Sequence, residues 1–252
     1  KSIEEFVFHN LKNPQEKNAI IIMNEFMLFH REYYRDYLIA LKQIGEKYGL
    51  NVPVIVNIHG FHSIDYAKRG LQYPIGLSQL LLTSEIDNVV LAGDYYIGNL
   101  VPDNYYDVIL ANAFTNAIQP KYQPLFSAEF QSGFQNDVPR LQPTTTDLKV
   151  RLCVGNGMNA INYYMFVGGE NYENIGIIGK RHDWQAPIGT DGALRTHYYV
   201  IEHLNNVIKT YGKALLDAKY EAAIHLAFDA DYYLTEYDNI YTRPFKNELQ
   251  RM

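Results

Sequence analysis

The chain has 252 residues, is 47% hydrophobic and 20% charged, and carries a formal net charge of −6. That balance argues against nucleic acid as the main partner, because phosphate binding needs clustered Lys and Arg. No apolar run reaches the roughly 18 residues that span a bilayer, so no membrane partner is expected. The single cysteine, Cys153, excludes an intrachain disulfide and a cysteine-built zinc cluster.

In chain order, Ala19-Ile20-Ile21-Ile22-Met23 is short, apolar and β-branched, which predicts a strand buried on both faces. An amphipathic helix follows, with Tyr34, Tyr37, Leu38, Leu41 and Ile44 on one side and Arg31, Glu32, Arg35, Asp36 and Lys42 on the other. Gly49 is its natural stop. Val54-Ile55-Val56-Asn57-Ile58 and Val89-Val90-Leu91-Ala92 predict two more buried strands. A helical pattern runs from Tyr105 to Ile118 and ends before Pro120. Leu125 to Phe130 is a further strand, a short helix is expected around Leu148 to Cys153, and Ala160 to Val167 is a fifth strand closed by Gly168-Gly169. A loop then leads to a last helix from about Leu194 to Leu216, with Tyr198, Ile201, Leu204, Val207 and Ile208 on one face. From about Tyr220 the tail reads as one more strand that opens a following domain. Strands alternating with helices predict βαβ units and a parallel sheet. No fixed-period repeat or low-complexity tract is present.

Two glutamates stand where a buried strand should carry no charge: Glu25 after Ile-Ile-Ile-Met-Asn, and Glu129 inside Phe-Ser-Ala-Glu-Phe. A carboxylate there is costly unless it is paired or used. In a parallel barrel both would reach the C-terminal strand ends, and two facing carboxylates are what glycoside hydrolysis requires. Asp94 ends a strand and, with Tyr95, is a candidate substrate contact. His59 and His62 flank Gly60-Phe61 but have no third clustered ligand, so they are expected to be polar groups at a barrel rim, with no metal implied. Gly155-Asn156-Gly157 lacks the third glycine of a dinucleotide loop and precedes a strand, so no dinucleotide cofactor is implied.

Four segments resemble one family. Ile22-Met23-Asn24-Glu25-Phe26 resembles the Asn-Glu signature on strand four of retaining glycosidases built on (β/α)8 TIM barrels. Ala128-Glu129-Phe130-Gln131-Ser132-Gly133-Phe134 resembles the nucleophile segment of strand seven in glycoside hydrolase family 35, the β-galactosidases. Tyr164-Met165-Phe166-Val167-Gly168-Gly169-Glu170-Asn171-Tyr172 is similar to that family's strand-eight segment. His182-Asp183-Trp184-Gln185-Ala186-Pro187-Ile188 matches its Ala-Pro segment in part. The resemblance implies an α/β chain that covers strand four to helix eight of a TIM barrel over residues 1–218, with 219–252 a tail or the start of another domain. It implies a retaining exo-β-glycosidase acting on terminal β-D-galactosyl residues, with Glu25 as acid/base, Glu129 as nucleophile and their carboxyls roughly 5–5.5 Å apart. Asn24 would bind the sugar 2-hydroxyl, and Tyr164 and Trp184 would line the sugar. No cofactor is implied, and the missing strands one to three are expected from another segment or chain. A homo-oligomer is possible, and the compartment is open.

The departures from the family are Gln131 in place of an aromatic residue, Trp184 in place of Tyr and Gln185 in place of an acid. They keep open a same-clan enzyme for another sugar, such as a β-glucoside or β-glucosaminide. A carbohydrate-binding scaffold without turnover is the other alternative.

Overall fold

A computed structural model describes residues 16–58, 77–133, 140–172 and 179–219, together with positions 2, 5, 175, 221, 225, 227 and 229. His59, His62, Phe134 and almost all of the tail beyond 219 lie outside the described residues. The elements are α1 (Lys17–Lys47), β1 (Val54–Ile58), α2 (Leu77–Thr83), β2 (Val89–Tyr95), α3 (Pro102–Ile118) and β3 (Phe126–Gln131). They continue with α4 (Pro143–Gly155), β4 (Ala160–Tyr164), β5 (Gly169–Glu170), β6 (Arg181–His182) and α5 (Thr196–Asp217). Strands β1 to β4 form one sheet in sequential order, every neighbouring pair parallel, and β5 and β6 form a small antiparallel ribbon.

The sheet follows from its sequence. Val56, Ile58, Val89 and Leu91 alternate onto one face and pack against Leu77, Leu80 and Phe114 from α2 and α3. Farther along the same face Tyr95, Phe130 and Tyr163 meet Val108, Val150, Cys153 and Leu204 from α3, α4 and α5. Burying each such side chain contributes roughly 1.5–3 kcal/mol. The opposite face presents Ile55, which is 53% exposed, and then Asn57, Asp94 and Glu129 toward the C-terminal ends. Parallel strands in sequential order, with helices packed on one face, are compatible with part of an α/β barrel.

One expected strand is absent. Ala19 to Met23 belongs to α1, a helix of 31 residues. The apolar run fits either period, and no Pro or Gly stands between Lys17 and Gly45 to separate a strand from the helix that follows. Ala19, Met23 and Arg31 are its buried positions, four and eight residues apart, which is helical spacing. The expected faces also shift. Tyr34 and Leu38 are half-buried, but Tyr37, Leu41 and Ile44 are 46–53% exposed. Arg31, expected on the solvent side, is buried, with its guanidinium reaching the Ser78 carbonyl at the start of α2 (3.4 Å). A long Arg side chain can lay its stem on apolar surface and still reach a carbonyl, which its position on a helical wheel does not reveal.

Candidate active site

The C-terminal ends of the parallel strands bring together residues from all four. Glu129, in β3, stands opposite Asp94 in β2, just past a register shift between Gly93 and Asp94. The hydroxyl of Tyr96, one residue beyond β2, donates to Glu129 Oε2. Asn57 Nδ2, from β1, makes a long hydrogen bond of 3.5 Å to Oε1. Tyr164, at the end of β4, meets the Tyr96 ring edge-on, with centroids 6.2 Å apart. Asp94 is 4% exposed, whereas Glu129 and Tyr164 are half-buried and accessible.

The electrostatics fix the direction of the Tyr96 contact. Burial pushes the Tyr96 phenol up, and the hydrogen bond and charge of Glu129 push it further, with smaller contributions from Tyr164 and Asp94. Tyr164 is raised first by burial and then by the charges of Glu129 and Asp94. Both phenols therefore keep their protons, and Tyr96 is a fixed donor to a carboxylate. A carboxylate held by a phenol donor and an amide, on the open side of a sheet, is arranged to stay oriented.

The ends of β3 and β4 are tied together, and the loop after β6 packs against them at Gly133. Ser132 N donates to the Tyr164 carbonyl (2.6 Å), Met165 N to that of Gly133 (3.1 Å), and Ser132 Oγ to that of Met165 (2.9 Å). A Cβ on Gly133 would stand 2.4 Å from the Trp184 carbonyl and 2.7 Å from the Ala186 backbone, so glycine is what permits the contact. Trp184 is 9% exposed and stacks on His182 (4.9 Å, 17°). Gln185 Oε1 accepts from Leu141 N (3.1 Å), and Arg195 holds both oxygens of Asp183 at 2.7 Å. That ion pair keeps the Asp183 carboxyl below its usual range.

No protein-family model matches the chain. A β-1,2-glucosyltransferase of Ignavibacterium album is 26% identical over 234 residues, 91% of this chain and 32% of that protein. An exo-β-D-glucosaminidase of Thermococcus kodakarensis is 36% identical over 97 residues, 38% of this chain and 12% of that protein. A probable β-galactosidase B of Talaromyces marneffei is 26% identical over 180 residues, 65% of this chain and 17% of that protein. All three are glycoside-acting enzymes. The chain spans about a third of the first of them and less than a fifth of the other two.

Of the residues expected from sequence, Glu129, Asp94 and Tyr164 gather at the strand ends. Tyr95 does not. Its side chain is 1% exposed on the helix-covered face, where its hydroxyl donates to Asn112 Oδ1 in α3 (2.7 Å). Successive strand residues point to opposite faces, so Asp94 and Tyr96 share one and Tyr95 takes the other. The same alternation would have singled out Tyr96 from sequence. Asn57, a lone polar residue in an apolar strand, was also open to that reading. Asn24 and Glu25 lie in the helix α1, half-buried and exposed respectively, and not at the end of a sheet strand. Among the described residues, no group of three His, Cys, Asp or Glu side chains could hold a metal ion, and no helix is long and apolar enough to cross a membrane.

Proposed function

We propose that the chain is the C-terminal part of the catalytic barrel of a retaining β-glycosidase, with β1 to β4 standing as barrel strands five to eight, the strand-four motif carried in helix α1, and 219–252 leading into another segment. The observation that carries this reading is the half-buried Glu129 at the C-terminal end of a parallel strand, held by the Tyr96 hydroxyl and the Asn57 amide. Such strand ends are where barrel enzymes place their chemistry.

In this reading the Glu129 carboxylate attacks the anomeric carbon. The glycosidic C–O bond breaks, and the leaving oxygen takes a proton from the general acid. Water then attacks the covalent glycosyl-enzyme, gives its proton to the same residue acting as base, and releases the sugar with retained configuration. The Tyr96 hydroxyl aims the Glu129 carboxylate. Glu25 is the acid/base by its Asn-Glu motif alone, and Asn24 its neighbour for the 2-hydroxyl. Tyr164, Trp184 and Asp94 are the proposed sugar contacts. The family-35-like segments favour a terminal β-D-galactosyl substrate.

A second reading is a gluco-configured sugar passed to an acceptor hydroxyl in place of water, and the relative named as a glucosyltransferase favours it. The same glycosyl-enzyme serves both outcomes. The test is a panel of aryl β-galactosides, β-glucosides and β-glucosaminides, with the first-formed product observed by proton NMR. The β anomer is expected, most rapidly from the galactoside. Faster cleavage of a gluco sugar, with transfer to an added acceptor, supports the second reading. An α anomer appearing first overturns the retaining mechanism, and binding without cleavage of any of them leaves a scaffold.

A further inference from the structure

Lys149, in α4, is fully buried. An ammonium group in that setting is costly unless it is hydrogen-bonded. Its Nζ donates to Gln131 Oε1 at 3.0 Å, lies 3.4 Å from the Gln131 carbonyl, and sits 5.8 Å from the centre of the Phe130 ring. The same Oε1 accepts from Gly98 N at 2.9 Å. One amide oxygen thus joins α4, the end of β3 and the turn after β2. Two donors converging on it also decide the orientation of the amide, since a flipped side chain would set its NH2 against both.

The placement is specific. Gln131 lies two residues beyond Glu129, and Gly98 lies two residues beyond Tyr96. The two strand ends that meet at the Tyr96–Glu129 contact are therefore linked a second time, by a charge-assisted bond system in a dry setting.

We propose that Gln131, braced by Lys149, is a positioning residue that holds the Tyr96 hydroxyl on the Glu129 carboxylate. The proposal rests on the reading of Glu129 as the nucleophile. Its test uses the full-length protein and three forms of it: parent, Gln131→Glu, and the double variant Gln131→Met/Lys149→Met. The double variant replaces the Lys149–Gln131 pair with apolar groups of similar length but leaves Gly98 N without its acceptor, so its thermal midpoint falls modestly while the protein stays folded. Its kcat on aryl β-glycosides falls about 10- to 100-fold, with KM little changed. Gln131→Glu keeps an acceptor oxygen for both donors and keeps most of the parental kcat.

Parental kcat in a folded double variant overturns the proposal, and so does a kcat loss in folded Gln131→Glu as large as that of the double variant. If the parent cleaves no glycoside, the functional reading falls by itself. The positioning claim is then decided by crystal structures of the parent and the double variant. Withdrawal of the Tyr96 hydroxyl from Glu129 supports it, and an unmoved hydroxyl overturns it.

Discussion

The two segments that carry the candidate acids, Glu25 and Glu129, behave in opposite ways. Around Glu129 the chain is fixed by neighbours on both sides: β2 and β4 pair with β3, Phe130 is driven into the helix-covered core, and Glu129 is left on the open face with Tyr96 and Asn57. Around Glu25 the apolar residues are consecutive and no strand partner is present among the described residues. The run continues into the amphipathic stretch as α1, with Glu25 exposed. A strand needs partners to satisfy its backbone, whereas a helix satisfies its own. A strand-like sequence becomes a strand only where a neighbouring edge receives it.

That contrast can be broken first at the acids themselves. Glu129→Gln should abolish turnover of aryl β-glycosides, with a loss on the order of 10⁵-fold in kcat. Glu25→Gln, if the motif assignment holds, should cost about 10²- to 10⁴-fold on unactivated leaving groups and much less on activated ones. Unchanged turnover on both would leave Glu25 a solvated helix residue and sharpen the difference between the two segments.

The conformation of residues 19–23 has its own test. In the helix, Met23 is 2% exposed and Ile21 48% exposed. Met23→Ala should therefore destabilise by about 2–5 kcal/mol, and Ile21→Ala by no more than about 0.5 kcal/mol, measured by chemical denaturation. Comparable large losses at both positions would instead indicate a strand buried on both faces.

On the Glu129 side, Tyr96→Phe removes the hydroxyl donor but keeps the ring packed against Tyr164. The charge-assisted bond it deletes is worth about 1.5–3 kcal/mol, so kcat/KM should fall roughly 10- to 100-fold. Because the phenol is raised, the parent should retain this donor through the ordinary tyrosine range, with no loss of kcat below about pH 10 from this group.

The smallest expected effect lies beneath the site. Burial holds the His197 imidazole below its ordinary value, with the positive charges of Arg140, Lys149 and Arg195 acting in the same direction. The unfolded chain therefore binds the proton first as pH falls. The stability from neutral, buried His197 is fully present above about pH 6.5 and is lost as the pH drops below it. Thermal midpoints measured across that window should show the slope, and His197→Asn should flatten it.

Much of the fold was legible because its strands are short apolar runs bounded by turn residues. Val54–Ile58, Val89–Ala92, Leu125–Phe130 and the start of Ala160–Val167 all fall in the parallel sheet, and the last helix buries Ile201 and Leu204 as its spacing implied. The candidate site was legible where charge interrupts such a run, as at Asp94 and Glu129, which the register places side by side. Tyr95, next to Asp94 in sequence, points to the opposite, helix-covered face because strand side chains alternate. The link from Lys149 through Gln131 to Gly98 was not legible at all. It joins segments 18 and 33 residues apart through one amide oxygen, and no periodicity or spacing encodes that meeting.

The most direct measurement of the central claim is trapping with a 2-deoxy-2-fluoro-β-glycosyl fluoride, followed by proteolysis and mass spectrometry. The account predicts time-dependent inactivation and one glycosylated peptide, modified at Glu129. Modification of a different carboxylate, or turnover that persists with Glu129 unmodified, would contradict it.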